Sequence, residues 1–375
     1  MNAYITPHRL SGIVEAIPSK SYAQRYLIAS FLSEAPSTLT FENPGDDIAA
    51  TIRATDALKR GERTIDCGSS ATAARILNQV IAVTHPRSEI TGSEQLMSRP
   101  IESLIELPAR SGLYKISGSQ SSQYLSGLLF ALPLLEGESR IELIDTLESS
   151  GYVDMTLEVL DKYSIVIEST GQGWIVPGGQ IYRAPGDLVI EGDWSSAAVW
   201  LASGVIVTGL NPATKQPDGI AFFPYCSREG AGVRMRASAQ LPATIDVSQC
   251  PDLTPVLAVM AATATRYDEP KTTRITGTHR LRIKESDRIE SITQMLQALG
   301  AEVTVDGDDM IIVGKKTLSG GVIEARDDHR IVMAATLASC WCEDQVTIIG
   351  ADAVTKSYPR FFDDFETLGG IVELE

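Results

Sequence analysis

Six times along the chain a short apolar run gives way to a knot of small or polar residues and then to a helix-length segment rich in Ala, Leu, Val and Met. IDCGSSATAARILNQV, LVIEGDWSSAAVWLASG and VIEARDDHRIVMAATLAS are three of these segments, and the others begin at Ile13, Ile116 and Thr244. The pattern predicts helices starting at Ser21, Ala71, Ser122, Ser195, Asp252 and His329, 50 to 77 residues apart, which is a loosely kept repeat. Between them runs a second pattern of strand, polar loop, amphipathic helix and two strands around a tight turn. In ITGTHRLRIKESDRIESITQMLQALGAEVTVDGDDMIIVG, for example, Ile289, Ile292, Met295, Leu296 and Leu299 fall at helical spacing, Gly300 ends the helix and DGDD turns a hairpin. The sixth partner of this kind, in 205–240, has no clear outline.

A helix that is apolar all round must be covered on every side, whereas an amphipathic one keeps a wet face. Each repeat therefore predicts one inner and one outer helix beside a few strands. Three repeats on each side of a break near Glu191-Gly192-Asp193 predict two similar α/β domains. A doubly wound sheet would also alternate strands and helices, but it lacks the hairpin that closes each unit.

Charge narrows the partners. The 375 residues carry a formal charge of -16, which argues against a nucleic-acid or membrane-surface partner, since both ask for a basic face. Any anionic ligand then needs a local basic cluster. Cys67, Cys226, Cys250, Cys340 and Cys342 are odd in number and form no CxxC pair, so neither a disulfide framework nor a zinc site is expected. MNAYITPHRLSG has no apolar signal core, and no window approaches the roughly 18 apolar residues of a spanning helix. A reducing cytoplasm is the expected compartment.

The predicted inner helices start with unusual polarity: Ser19-Lys20-Ser21, Ser69-Ser70-Ala71-Thr72, Ser121-Ser122-Gln123, Asp193 to Ser196, Asp252 and Asp328-His329-Arg330. Ser and Asp cap single helices routinely. Three helix starts converging about a pseudo-threefold axis would also aim free N–H groups and positive dipole ends at one volume, which favours phosphate or carboxylate. The loops add cations at Arg99, Lys284, Arg288, Arg330 and Lys356, each just ahead of a helix.

Taken in order, Lys20-Ser21 with Arg25, Arg99-Pro100, Ser121-Ser122-Gln123, Ser149 with Tyr152, Asp252 in CPDLTP, Arg282/Lys284/Glu285/Asp287/Arg288, Asp328-His329-Arg330 and Lys356 resemble the signatures of the 5-enolpyruvylshikimate-3-phosphate (EPSP) synthase family over nearly the whole chain. The resemblance implies a two-domain inside-out α/β barrel, each domain made of three βαβαββ units with buried parallel helices. One domain is expected to comprise 1–17 plus 193–375 and the inserted one 18–192, with the active site in the cleft between them. It implies shikimate 3-phosphate and phosphoenolpyruvate as small-molecule substrates, no metal or organic cofactor, and a monomer. Asp252, Glu285 and Lys20 are the implied catalytic residues. Lys20, Ser21, Arg25, Ser121, Ser122, Gln123, Ser149, Tyr152, Asp252 and Lys284 are implied for shikimate 3-phosphate. Lys20, Ser69, Ala71, Thr72, Arg99, Gln123, Arg288, His329, Arg330 and Lys356 are implied for phosphoenolpyruvate.

The chain departs from the family in three places. Its loop reads Gly68-Ser69-Ser70-Ala71-Thr72 where the family has Gly-Asn-Ala-Gly-Thr, Arg280 replaces a common Asn, and the segment between Asp193 and Asp252 is short. A UDP-N-acetylglucosamine enolpyruvyl transferase shares fold and donor but uses a loop cysteine as acid, and EQLMSRP has none. Cys67, in a strand-like position, is read as buried packing. A non-catalytic anion-binding repeat protein would have no use for the carboxylates Asp252 and Glu285 directed at an anion.

Overall fold

The computed structural model describes all residues except 42, 100–107, 120–121 and 267–268. The chain divides into two compact units, Met1–Ile17 with Glu191–Glu375, and Pro18–Ile190. The second crossing lies two residues ahead of the expected one. Glu191 already belongs to the larger unit: Asn211 Nδ2 and Gln216 Nε2 donate to its carboxylate at 2.7 and 2.6 Å, and the Thr214 hydroxyl donates as well.

Among the described residues a parallel strand pair flanks the inner helix in five of the six repeats, and the repeat of helix Lys20–Leu32 has a single parallel bridge between Leu39 and Leu188. Thr64–Asp66 pairs with Glu89–Thr91 around helix Ala71–Thr84, and Leu113–Ile116 with Ser139–Leu143 around Ser122–Ala131. Thr244–Asp246 pairs with Thr272–Thr276 around Thr254–Ala262, and Gly321–Glu324 with Val346–Ile349 around His329–Ser339. Ile13–Glu15 pairs with Ile206–Thr208 around Trp194–Ala202, with the entire smaller unit inserted between the first strand and its helix. Antiparallel hairpin strands complete four-stranded sheets, as where Glu302–Asp306 and Asp309–Val313 join Thr272–Thr276.

Every residue of Trp194–Ala202 and of His329–Ser339 is buried, as a helix without a polar face requires. The outer helix Arg288–Ala298 instead buries Ile289, Ile292, Met295 and Leu296 on one stripe. Gly300, at φ +77°, makes the left-handed turn after it, and a Cβ there would meet the Ser319 hydroxyl at 2.6 Å. Each unit has its own apolar core built on its three inner helices.

The unit that sequence patterning left without an outline contains strand Ile206–Thr208, a short helix Pro217–Phe222, and the hairpin Cys226–Glu229 with Gly232–Met235. Six residues are too few to show a 3.6-residue period, so the pattern had nothing to register. Ahead of Arg99-Pro100 the described residues form a four-residue helix, Glu94–Met97, and residues 100–107 lie outside those described. Among the described residues no helix is long and apolar enough to cross a membrane, and no cluster of His, Cys, Asp or Glu is arranged to hold a metal ion.

Candidate active site

In the smaller unit the starts of the inner helices are tied together by side chains. Lys20, the first residue of helix Lys20–Leu32, donates to Asp47 at 2.9 Å, and both are largely removed from solvent. Gln24 Nε2 donates to Thr51 Oγ1 at 2.9 Å and to Ser70 Oγ at 2.7 Å. Ser70 caps the next helix by accepting from Ala73 N, leaving the buried Ala71 as its first residue. Ser69 Oγ donates to Ser93 Oγ at 2.9 Å, which fastens this loop to the segment leading to the half-buried Arg99. Arg75 Nη1 donates to Gln123 Oε1 at 2.7 Å, and Gln123 Nε2 donates to Thr72 Oγ1 at 2.8 Å, so the second and third helix starts share one network. Thr72 and Gln123 are half-buried, and Ser122 is buried at the head of its helix. Ser121 lies outside the described residues.

Arg25 has a different part from the ligand contact that the resemblance implies. It is buried, and its guanidinium donates to Thr156 Oγ1, Ser21 O and Tyr152 O at 2.8, 2.8 and 3.0 Å, so its polar reach is spent on fixing the backbone around Tyr152. Burial brings its pKa down to about 10, with Tyr152 and Tyr22 opposing. Ser149, three residues before Tyr152, is buried with φ 54° and ψ 41°. A non-glycine residue held there carries strain on the order of 1–3 kcal/mol, the kind that accumulates at ligand-clamping positions.

The larger unit holds most of the ionisable groups. Arg288, 1% exposed, donates from Nε to Asp328 at 2.8 Å, from Nη1 to Asp252 at 2.7 Å and from Nη2 to Glu285 at 2.7 Å. Arg288 was expected in the donor clamp; it is instead the hub that fixes three carboxylates. Asp328 also accepts from Ser286 Oγ at 3.0 Å and from Arg330 N at 2.9 Å, which caps helix His329–Ser339. Lys284 Nζ reaches Asp252 at 3.4 Å. His329 is buried, with Nδ1 3.9 Å from Asp328, and Lys356 is buried at the end of the turn Ala351–Lys356.

Two features set the electrostatics. Burial alone would raise the Asp252 carboxyl, but Lys284, Arg288 and Arg330 outweigh it and hold the group well below the usual carboxylate range. Lys284 is pushed down by burial, against the attraction of Asp252. Arg330 is 4% exposed, and among the described residues nothing accepts a hydrogen bond from its Nε or Nη1. A buried guanidinium with unmet donors is a site prepared for an anion, most readily a carboxylate or phosphate.

A model of the EPSP synthase (3-phosphoshikimate 1-carboxyvinyltransferase) family matches residues 5–112 and 108–365. The chain belongs to the EPSP synthase family. It is 35% identical to a 3-phosphoshikimate 1-carboxyvinyltransferase of Clostridium kluyveri over 98% of this chain and 97% of that protein. It is 32% identical to one of Methanocorpusculum labreanum over 98% and 99%. An EPSP synthase structure from Acinetobacter baumannii superposes with a TM-score of 0.75 at 22% identity, covering 100% of both chains. The enolpyruvyl transferase NikO from Streptomyces tendae does so with 0.68 at 15%, covering 99% and 98%. These likenesses support the two-domain inside-out α/β fold.

Within this EPSP synthase family member, Cys67 is fully buried and its thiol is pushed up to about 12, first by burial and then by Asp66. Such a group is inert packing, as the sequence suggested. Reading the sequence missed Asp47, which holds Lys20, and Asp218, a buried carboxyl whose Oδ2 accepts from the Ser195 hydroxyl. Asp47 had a signal, since an acidic pair after Pro44-Gly45 marks a helix start. Asp218 follows Pro217 in the same way, but it lay in the one repeat that had no outline.

Proposed function

We propose that the chain transfers the enolpyruvyl group of phosphoenolpyruvate to the 5-hydroxyl of shikimate 3-phosphate and releases phosphate. The observation that carries this reading is the pairing of an ionised carboxylate, Asp252, with the buried cations Lys284, Arg288 and Arg330. The family membership points to the same chemistry. Anion binding alone would be weakened by a carboxylate in that position, whereas proton transfer requires one.

The reaction needs two proton transfers and a leaving group. A proton added at C3 of the donor makes C2 electrophilic, and Glu285 and Lys20 are the candidates to deliver it. The 5-oxygen then bonds to C2 while its proton passes to Asp252, giving a tetrahedral adduct. A proton returns from the new methyl group to Glu285 or Lys20, whichever delivered it, as the bond from C2 to the phosphate oxygen breaks, and the phosphate departs with that electron pair. Arg330, Arg99 and Lys356 balance the donor's carboxylate and phosphate charge, and Arg288 holds Asp252 and Glu285 in place. Ser122, Gln123, Ser149, Tyr152 and Lys284, with Ser121 and Ser21, are assigned to shikimate 3-phosphate, and Arg25 holds the backbone around Tyr152.

The test is phosphate release from phosphoenolpyruvate in the presence of shikimate 3-phosphate, with UDP-N-acetylglucosamine as the control acceptor. Release is expected with the first acceptor only. Release with the second, or without any acceptor, overturns the reading.

Ala71 gives a further prediction. Its methyl occupies the family's glycine position, which lies against the donor and against glyphosate, a slightly longer donor mimic. Crowding a tight pocket by one methyl costs roughly 1–3 kcal/mol. Ala71→Gly is therefore expected to lower the glyphosate inhibition constant by about tenfold or more, with a much smaller change in the KM for phosphoenolpyruvate. Inhibition constants measured for both forms decide this, and equal values contradict it.

A further inference from the structure

We propose that Arg75 is a positioning residue: by taking up the carbonyl oxygen of the Gln123 side chain, it makes Gln123 meet the anionic substrates as a hydrogen-bond donor. The inference rests on the reaction proposed above, in which Gln123 is a substrate contact.

Arg75 and Gln123 sit near the starts of two facing inner helices, Ala71–Thr84 and Ser122–Ala131. One turn further along each helix, Gly127 lies against Gln79, and a Cβ at Gly127 would come within 2.6 Å of Gln79 Cγ and 3.1 Å of Ile76 O. A glycine inside a helix is unfavourable by itself; here it lets the two backbones approach closely. At that spacing Arg75 Nη1 donates to Gln123 Oε1 at 2.7 Å, and Gln123 Nε2 donates to Thr72 Oγ1 at 2.8 Å. Arg75 is 6% exposed, and its Cζ lies 5.6 Å from the centroid of the buried Tyr124 ring, so the guanidinium is held from a second side.

The two ends of a glutamine amide have nearly the same shape and opposite hydrogen-bonding roles. Thr72 can accommodate either end, since a hydroxyl both donates and accepts. Arg75 cannot, because a guanidinium has only donors. A flipped amide would set its NH2 against those donors, and neither group would have its bond. Arg75 thereby selects one orientation of Gln123. The consequence falls on the ligands. Shikimate 3-phosphate and phosphoenolpyruvate bring phosphate and carboxylate oxygens, which accept hydrogen bonds, and Gln123 is implied for both. With its carbonyl committed to Arg75, the side chain meets them through N–H. Without Arg75 the amide turns both ways, and one of the two orientations sets an oxygen against an anion.

The test measures the Kd for shikimate 3-phosphate by calorimetry, and kcat and the KM for phosphoenolpyruvate by phosphate release. It compares the wild type, Arg75→Met, Gln123→Ala, the double variant and Gln123→Glu, each with a thermal melt. Arg75→Met is expected to raise the Kd and the KM by about tenfold, the worth of one hydrogen bond to a charged group, with little change in kcat at saturation. Added to Gln123→Ala, the same substitution is expected to cost no more than about twofold further, because Arg75 acts through Gln123. Losses that multiply in full in the double variant overturn the proposal, as does an Arg75→Met protein that binds as the wild type does. A merely structural role would lower the melting temperature of Arg75→Met without moving the Kd of the folded protein. Should Arg75→Met fail to fold, Gln123→Glu decides, since its carboxylate suits Arg75 but has no N–H to offer. A melting temperature at or above that of the wild type, with the Kd raised by about tenfold or more, supports the proposal. A Kd close to that of the wild type, or early melting, overturns it. If the wild type binds no shikimate 3-phosphate and releases no phosphate, the reaction assigned above fails, and this proposal with it.

Discussion

Asp252→Asn is expected to lower kcat by about 10²- to 10⁴-fold, the range of a lost general base, without raising the KM for phosphoenolpyruvate. The substitution keeps the shape of the side chain and removes one negative charge from a group of cations. Lys284 at 3.4 Å and Arg288 at 2.7 Å lose their shared counter-charge, so the potential around them becomes more positive and the anionic donor is held at least as well. Acceptor-dependent phosphate release read at several donor concentrations separates the two parameters. The pH profile gives a second check. Because those cations hold Asp252 well below the usual carboxylate range, the wild type keeps its base ionised throughout the neutral and mildly acidic range. The same depressed pKa contributes stability that is present above about pH 4, the ordinary value for an aspartate in an unfolded chain, and is lost as pH falls further. A variant whose kcat stays within threefold of wild type would remove Asp252 from the proton-transfer step.

Arg330→Met should weaken phosphoenolpyruvate binding by about 10- to 100-fold, from the loss of charge-assisted hydrogen bonds worth about 1.5–3 kcal/mol. Binding of shikimate 3-phosphate alone should change far less. The more telling part concerns stability. Arg330 is buried with two nitrogens that find no acceptor among the described residues, so the protein bears the cost of unmet donors on a cation whose charge Asp252 offsets only in part. Methionine fills the stem's volume without that cost, and Asp252 keeps Lys284 and Arg288 as partners. The melting temperature of the variant is therefore expected to hold or rise while donor affinity falls. Calorimetric binding of each ligand together with a thermal melt reads this. A melting temperature that drops in step with donor affinity would mean that Arg330 is a structural cation.

The larger part of the architecture was legible because it repeats. The inner helices begin at Lys20, Ala71, Ser122, Trp194, Thr254 and His329, each within two residues of the start read from the pattern. An all-apolar helix preceded by a strand and a polar knot is a local signal, and six copies of it make that signal hard to mistake. The hairpin after Gly300 was legible for the same reason, since DGDD supplies the turn and alternation supplies the strands. The repeat that escaped was the one whose outer helix is cut to Pro217–Phe222, and the structure places Asp218 there.

Site chemistry was legible as a list of residues and not as a set of pairings. Arg288 and Arg330 look equivalent in sequence, each an arginine at a helix start after an aspartate. In the folded chain Arg288 is committed to Asp252, Glu285 and Asp328, while Arg330 has donors unmatched among the described residues. Arg25 was assigned to a ligand, yet its donors are engaged by Thr156 Oγ1 and the carbonyls of Ser21 and Tyr152. Such differences depend on partners up to 131 residues away in sequence, which no local pattern encodes.

The central claim is that the donor is first protonated and added to, and only then loses phosphate. Turnover of shikimate 3-phosphate and phosphoenolpyruvate in deuterium oxide, with the product examined by proton NMR and mass spectrometry, tests this directly. The account predicts a carboxyvinyl ether at the 5-oxygen whose vinyl CH2 has taken up solvent deuterium, because C3 passes through a methyl stage. Unmodified acceptor alongside released phosphate, or a transferred group carrying no solvent deuterium, would contradict it.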